Sequence, residues 1–115
     1  MTKKTRVVGT RPSRGAWLYI TSGPQAGRDF RLGRETTIGR DEVECDVILP
    51  DNRVSSQHAR IKRDGEELVI HDLASLNGTF VNGLSVQKQV LADDDEITVG
   101  ETTLVFKVTP KPPVV

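Results

Sequence analysis

The stretch "HARIKRDGEELVIHD", residues 58–72, decides the fold class. Apolar residues alternate with polar ones on both sides of the turn sequence "RDGEE", with Ala59 and Ile61 before it and Leu68 and Ile70 after it. A spacing of two is the side-chain period of an extended strand with one buried face, whereas a helix needs a period of 3.6. The stretch therefore predicts two half-buried β-strands separated by a turn.

The same alternation recurs along the chain, and turn sequences rich in Gly, Pro, Asn and Asp interrupt it at close intervals. Candidate strands lie near residues 17–21, 28–32, 36–40, 47–49, 57–62, 67–72, 79–81, 89–91, 96–99 and 102–108. Many short strands with frequent turns predict an all-β fold, an antiparallel β-sandwich or barrel of about ten or eleven short strands. In such a fold the loops cluster at the ends, so the ligand site is expected on loops at one end.

The 115 residues are enough for one hydrophobic core and too few for two ordinary domains. Residues 1–16 contain five basic and no acidic side chains and lack hydrophobic periodicity, so they are predicted to form a flexible basic arm. Residues 17–108 form the predicted sandwich. Residues 109–115 are rich in proline, which cannot donate ladder hydrogen bonds, and are interpreted as a tail or the start of a linker.

Charge and composition exclude several classes of partner. The 16 basic residues balance the 16 acidic ones, which argues against a general nucleic-acid or membrane binder, since both depend on a summed positive field. Trp17, Tyr19 and Phe30 follow the strand pattern and are predicted to be core residues rather than a base-stacking surface. A single cysteine, Cys45, and the lack of a signal peptide or long apolar segment favour a cytoplasmic protein.

Metal-binding signals are weak. His58 and His71 are the only histidines, Cys45 stands alone, and none of the three has a second ligand at a zinc-like spacing. The acidic run at residues 93–96 lacks the alternation and the glycine of a calcium loop. We therefore expect neither a metal nor a cofactor.

The sequence "TIGR" places Gly39 and Arg40 at the end of a predicted strand. Glycine allows close backbone approach, and a guanidinium can donate two parallel hydrogen bonds to a carboxylate or a phosphate. Taken alone, this pair is more simply interpreted as an ordinary surface arginine beside Asp41 or Glu42.

The sequence "RVSSQHA", residues 53–59, places the Ser55 hydroxyl three positions before the His58 imidazole. Serine–histidine catalysis would also need an orienting carboxylate and an oxyanion hole, and no "GxSxG" elbow is present. His58, predicted to lie in a strand on the side opposite Ala59, more simply ties its own loop together. Ser55 is equally compatible with a turn residue and with a ligand contact.

Two Asn-Gly pairs lie close together, at Asn77-Gly78 and Asn82-Gly83. Asn-Gly is the strongest short signal for a hairpin, because both central positions of a type I′ turn need positive φ. A turn explains the second pair well. The side-chain amide of Asn77 is also suited to holding the main-chain groups of a peptide.

Together these motifs resemble the forkhead-associated (FHA) domain, a β-sandwich family that binds phosphothreonine in proteins. The resemblance covers roughly residues 17–108. It is carried by five segments in the family's order: "TTIGR" at 36–40, "CDVILPD" at 45–51, "VSSQHARI" at 54–61, "IHDLASLNGTFVNG" at 70–83 and "LADDDEITVG" at 91–100. Five such segments in one order make a chance match improbable.

The resemblance implies a role for each residue that matches the family pattern. Arg40 and Ser55 would bind the phosphate, Asn77 and Ser56 would bind the ligand backbone, and Arg53 would read the third residue after the phosphothreonine, with an acidic preference. Three further residues would keep the loops in shape: Gly39, His58 and Gly78.

The sequence departs from the family pattern at two positions. Leu76 occupies the place before Asn-Gly where members usually carry Thr or Ser, whose hydroxyl or main chain adds a phosphate contact. Ser75 could replace that contact only if the loop is shifted. Ser56 stands where many members carry Arg, so the site is less positive than most.

The resemblance implies a phosphothreonine-peptide binding module that is not an enzyme and acts as an adaptor or regulator in Ser/Thr kinase signalling. Its expected partner is a Thr-phosphorylated protein. A phosphorylated threonine in the chain's own tail is a further possible ligand, although Thr2, Thr5 and Thr10 lack an acid three residues later. The alternatives are a hydrolase using Ser55 and a degenerate β-sandwich of this kind that binds proteins without phosphate.

Overall fold

The computed structural model describes residues 15–108, and every regular element in that range is a β-strand. The eleven strands are β1 (Ala16–Ser22), β2 (Asp29–Arg31), β3 (Glu35–Gly39), β4 (Val47–Ile48), β5 (Ala59–Asp64), β6 (Glu67–Asp72), β7 (Thr79–Val81), β8 (Leu84–Val86), β9 (Lys88–Val90), β10 (Glu96–Val99) and β11 (Thr102–Val108). No helix long and apolar enough to cross a bilayer occurs within the described range. The predicted arm, residues 1–16, lies outside this range except for its last two residues, and the second of these, Ala16, is buried as the first residue of β1. The predicted tail, residues 109–115, lies outside the range.

The strands form two sheets. One has five strands in the order β9-β6-β5-β3-β4, and the other has six in the order β2-β1-β11-β10-β7-β8. The predicted β-sandwich is confirmed, with one difference: β4 pairs with β3 in parallel, aligning Ile38 with Val47 and Gly39 with Ile48. Alternation of side chains is the same in parallel and antiparallel strands, so the sequence pattern contains no information on direction.

The clearest differences between the predicted strands and the structure lie at β5 and β8. Strand β5 begins at Ala59 rather than at 57, and the three-residue strand β8 was not predicted. Residues Asn82 and Gly83 connect β7 to β8 with φ values of 52° and 85°, as a type I′ hairpin turn requires. The turn signal was therefore correct, but the strand after it is too short and too exposed to show a pattern.

The core lies between the two sheets. Each sheet contributes alternate residues of its central strands: Leu18, Ile20, Ile97, Leu104 and Phe106 from the six-stranded sheet, and Ile38, Ala59, Ile61 and Ile70 from the five-stranded sheet. Full burial of a Leu, Ile or Phe side chain stabilises the fold by about 1.5–3 kcal/mol. The core therefore holds both sheets in one fixed relation and fixes the positions from which the loops leave.

The core prediction for the aromatic residues was wrong for two of three. Trp17 and Tyr19 alternate with the buried Leu18 in β1, so their side chains lie on the outer face, half-buried and 38% exposed respectively. Only Phe30 packs against the core, at the edge strand β2.

Three loops meet at one end of the sandwich: residues 40–46 after β3, residues 49–58 before β5, and residues 73–78 between β6 and β7. The second is hydrogen-bonded to both of the others. These loops contain all the predicted site residues except Gly39, which is the last residue of β3.

Candidate binding site

Arg40 follows the last residue of β3, and its main chain is tied to the loop opposite. Its amide donates to the carbonyl oxygens of Ser55 and Ser56, each at 3.1 Å. The guanidinium is exposed and forms no hydrogen bond or ion pair within residues 15–108. Asp41 instead accepts a hydrogen bond from the amide of Val43 at 2.9 Å. A guanidinium with a fixed backbone is thus available to an external anion.

Gly39 lets the first two loops touch. A Cβ at this position would overlap the carbonyl oxygen of Ser56 and lie 2.7 Å from Cys45 Sγ. The Cys45 thiol donates to the same carbonyl at 3.1 Å. Burial raises the pKa of the thiol, so it keeps the proton that it donates at neutral pH. Only glycine allows this approach of loop 49–58 to the end of β3.

His58 is completely buried and joins two loops through both ring nitrogens. Nδ1 accepts a hydrogen bond from the amide of Ser55 at 3.0 Å, and Nε2 lies 2.8 Å from the carbonyl oxygen of Gly78. Because the amide can only donate, the proton must reside on Nε2, which donates to Gly78. The placement of His58 within a strand was wrong, since β5 starts one residue later, and the alternation of the strand does not apply to it.

The occupied imidazole also bears on the hydrolase hypothesis. Neither ring nitrogen of His58 is directed at the hydroxyl of Ser55, because both are bonded to main-chain groups. A general base must lie within hydrogen-bond reach of the proton it removes. The geometry is that of a loop scaffold, as the simpler interpretation of His58 expects.

The hydroxyl of Ser55 lies between the second and third loops. Ser55 Oγ accepts a hydrogen bond from the amide of Leu76 at 3.1 Å. Its own hydrogen donates to no group within the described residues. Since the carbonyl of Ser55 also accepts the amide of Arg40, a free hydroxyl donor and a free guanidinium come from residues that are in direct contact.

Asp72 organises the third loop, and sequence reasoning missed it. Its Oδ1 accepts the hydroxyls of Ser75 and Thr79, both at 2.6 Å, and its Oδ2 accepts the amide of Ser75 at 3.1 Å. Burial opposes ionisation, but these hydrogen bonds outweigh it and hold the pKa of Asp72 below its usual value. The signal was an Asp followed three residues later by Ser, a common local turn.

Ser75 therefore has no free hydroxyl. Its hydrogen goes to Asp72, and its oxygen accepts the amide of Gly78 at 2.9 Å. The hydroxyl that could have compensated for Leu76 is used to shape the loop.

Asn77 and Gly78 do not form a hairpin turn. Gly78 has a φ of 93°, but Asn77 does not have a positive φ, as a type I′ turn would need. The exposed side chain of Asn77 donates from Nδ2 to the main-chain carbonyl of Arg53 at 2.9 Å. The amide oxygen and the second N–H of Asn77 are left for a ligand.

Arg53 lies at the rim of the site, next to an acid that sequence reasoning did not associate with it. Its Nε lies 3.8 Å from Glu101 Oε2, and both side chains are more than half exposed. The buried carboxylate of Asp51 accepts the amides of both residues, at 2.9 and 2.7 Å. Burial opposes the charge of Asp51, but these two amides and nearby positive charge lower its pKa. Asp51 thus fixes the backbones of Arg53 and Glu101 side by side.

The two positions that depart from the family pattern are both exposed. The side chain of Ser56 has no hydrogen-bond partner within residues 15–108, while that of Leu76 is 89% exposed. The site as a whole offers hydrogen-bond donors: the Arg40 guanidinium, the Ser55 hydroxyl and the Asn77 amide. Between residues 15 and 108 no group of three or more His, Cys, Asp or Glu side chains is placed to hold a metal ion.

Comparison with known proteins gives matches at the level of sequence and of structure. A family profile described as "FHA domain" matches residues 36–100. The glycogen accumulation regulator GarA of Mycolicibacterium smegmatis is 41% identical over 100 residues, and the oxoglutarate dehydrogenase inhibitor of Corynebacterium jeikeium is 40% identical over 95. A structure solved in work on phosphothreonine-dependent FHA domain interactions is 34% identical, with a TM-score of 0.75, covering 87% of this chain and 99% of that one.

The two relatives are longer than the matched region. The alignments cover 87% and 83% of this chain but only 63% of GarA and 66% of the inhibitor. The similarity therefore concerns the sandwich and its loops and leaves about a third of each relative unmatched.

Proposed function

The chain belongs to the FHA domain family, and on this basis we propose that it binds a threonine-phosphorylated segment of a partner protein and catalyses no reaction. The observation that carries the proposal is the pair of free donors at the end of the sandwich. The Arg40 guanidinium and the Ser55 hydroxyl have no partner for these protons within residues 15–108, and the main chains of the two residues are hydrogen-bonded.

The proposed chemistry follows from the charge of the ligand. A phosphate ester near neutral pH carries about −1.5 to −2 charge and three acceptor oxygens. Arg40 would donate two charge-assisted hydrogen bonds and Ser55 would donate one. Hydrogen bonds to charged groups contribute about 1.5–3 kcal/mol each, so these residues can separate phosphorylated from unphosphorylated ligands.

The remaining roles concern the peptide around the phosphate. Asn77 and Ser56 would bind the ligand main chain, because both are exposed and retain free hydrogen-bonding groups. Arg53 would read the third residue after the phosphothreonine and favour an acid there. Gly39, His58 and Gly78 would hold the loops, a role supported by the contacts that each makes between loops.

We further propose that the protein acts as an adaptor or regulator in a Ser/Thr kinase pathway in the cytoplasm. The names of the relatives, a glycogen accumulation regulator and a dehydrogenase inhibitor, support a regulatory role. The single cysteine, a buried free thiol, is compatible with a reducing compartment. The candidate threonines of the basic arm lie outside the described residues, and their binding to the site stays a prediction.

A second candidate function is protein binding that does not need phosphate. The observation that favours it is Leu76, a large apolar side chain at the position where the family usually provides a hydroxyl. Apolar contact area contributes to affinity whether or not the ligand is phosphorylated.

Calorimetric titration with matched peptides tests the proposal. A phosphothreonine peptide should bind, and its phosphoserine and unphosphorylated forms should bind progressively more weakly, since phosphoserine lacks one methyl contact, worth about 0.8 kcal/mol. Arg40→Ala should abolish the preference for phosphate. Arg34→Ala is the matched control. Arg34 is an exposed arginine that directly precedes β3, whereas Arg40 directly follows it, so the two side chains lie at opposite ends of the strand. Equal binding of phosphorylated and unphosphorylated peptides would favour the second candidate instead.

A further inference from the structure

Leu76 is the most exposed large hydrophobic side chain of the described residues, at 89%. Its main chain is part of the site, because its amide donates to Ser55 Oγ at 3.1 Å. It also directly precedes Asn77. An apolar side chain therefore stands at the rim of a site whose other exposed groups are hydrogen-bond donors.

The loop that carries Leu76 is held on both sides. Ser75 is bound to Asp72 through its amide and its hydroxyl, and the Gly78 carbonyl accepts the buried imidazole of His58. Asn77 is bound to the carbonyl of Arg53. Because its neighbours are fixed, Leu76 cannot be buried by a small shift of the loop, and its exposure is a property of the fold.

We propose that Leu76 determines specificity, selecting phosphothreonine ligands that carry an aliphatic side chain close to the phosphothreonine. The inference rests on the proposed function. A ligand held by Arg40, Ser55 and Asn77 would pass Leu76. The amide of Leu76 is hydrogen-bonded to Ser55 Oγ, and Leu76 directly precedes Asn77 in the chain. An aliphatic ligand side chain would remove apolar area from water on both partners, whereas a charged one would lose hydration without a partner.

The expected size of the effect follows from the area buried. Each methylene-sized group removed from water strengthens binding about fourfold. A partial contact between Leu76 and a ligand Val, Ile or Leu should therefore favour that residue over Ser by about five- to tenfold. This aliphatic preference is expected to be smaller than the preference for phosphate. It is measured separately, by comparing phosphopeptides that differ only at a flanking position.

The test uses phosphothreonine peptides in which each flanking position is varied in turn among Leu, Ser and Asp, titrated against wild type and four variants. Wild type should prefer Leu at one position. Leu76→Thr should reduce that preference to within about twofold, because any phosphate contact made by its new hydroxyl strengthens all the phosphopeptides alike, and Leu76→Met should retain the preference. Leu84→Ser is the matched control, since Leu84 is also exposed, at 71%, but follows the turn at the far end of β7. Thermal unfolding should be unchanged in all variants, because both leucines are exposed.

Two outcomes would overturn the inference. Wild type could show no aliphatic preference, or Leu76→Thr could retain it. If Leu76→Thr retained the preference and Val43→Ser removed it, the exposed aliphatic residue of loop 40–46 would be the selecting residue instead. In each case a phosphate preference that still depends on Arg40 would leave the proposed function intact. A wild-type protein that bound phosphorylated and unphosphorylated peptides equally would overturn both the inference and the proposed function.

Discussion

The side-chain amide of Asn77 donates a hydrogen bond of 2.9 Å to the main-chain carbonyl of Arg53, joining the loop that precedes β7 to the loop that precedes β5. A residue expected to hold the ligand thus also holds the site together before any ligand arrives. Preorganisation of this kind lowers the entropy cost of binding. Asn77 is therefore expected to affect both loop order and affinity.

Asn77→Ala should weaken phosphopeptide binding by about tenfold or more, because a ligand contact and the loop hydrogen bond are both lost. Amide hydrogen exchange should speed up for Arg53 and Val54 in the absence of ligand. The control is Asn52→Ala. Asn52 is exposed, lies in the same loop as Arg53, and its side chain makes no hydrogen bond within the described range. Weakened binding with unchanged exchange would mean that the hydrogen bond to Arg53 does not order the loop.

His58→Ala should destabilise the fold by about 2–4 kcal/mol, since it leaves the Ser55 amide and the Gly78 carbonyl without partners in a buried cavity. Denaturant unfolding gives the free energy. His71→Ala is the matched control, because His71 is only half-buried and its ring makes no hydrogen bond among residues 15–108. Equal losses in the two variants would contradict the role of His58 as the link between the loops.

Gly39→Ala should destabilise the protein by about 1–3 kcal/mol through overpacking and should weaken phosphopeptide binding, because the new methyl group pushes the Ser56 carbonyl away from the end of β3. Gly33→Ala is the control: no atom outside its chain neighbours lies within 4 Å of its added Cβ, and its φ is not in the left-handed region. Denaturant unfolding and calorimetry measure the two effects. A Gly39→Ala protein with wild-type stability and affinity would show that the loops can separate without cost.

Glu101→Gln should increase the preference for an acid at the third residue after the phosphothreonine, because it removes the charge that faces Arg53 at 3.8 Å. Exposed pairs of this kind contribute about 0.2–1 kcal/mol, so the expected gain is about 1.4- to fivefold. Peptides with Asp or Asn at that position measure it, and Glu66→Gln, an exposed acid in the β5–β6 turn, is the control. If Arg53→Gln left the acid preference of Glu101→Gln unchanged, Arg53 would not be the residue that reads this position.

Asp72 and Asp51 should make the stability depend on acid pH. Both have a pKa lowered from the ordinary value of 3.8, so their ionised forms stabilise the native state above that pH. The contribution is lost as the pH falls below about 3.8 towards the lower native pKa. Urea unfolding between pH 7 and pH 2.5 should show this loss, and Asp72→Asn should flatten it while costing about 1.5–3 kcal/mol at pH 7.

The exposed Asp64→Asn is the comparison for acid unfolding, and it should follow the wild-type curve. If the stability of the wild type fell no more steeply between pH 7 and pH 2.5 than that of Asp72→Asn, the hydroxyls of Ser75 and Thr79 would not stabilise the carboxylate.

The sequence by itself determined the fold class and most of the strands, because alternation of apolar and polar residues is a local property. Ala59 and Ile61 are buried in β5 as their spacing predicts, and Leu18 and Ile20 are buried in β1. The spacing of the motifs also identified the segments whose loops meet at one end. The positive φ values of Asn82 and Gly83 follow from their residue types in the same way.

Tertiary structure alone decided how those segments meet. The parallel pairing of β3 with β4, the burial of His58, and the positions of Asp51 and Glu101 depend on contacts between residues far apart in the chain; the last two are 50 positions apart. Nor could the exposure of Leu76 be read from its neighbours, since it results from loop hydrogen bonds centred on Asp72. A local pattern specifies which face of an element is apolar, but the partners of a buried polar group are known only when the chain has brought them together.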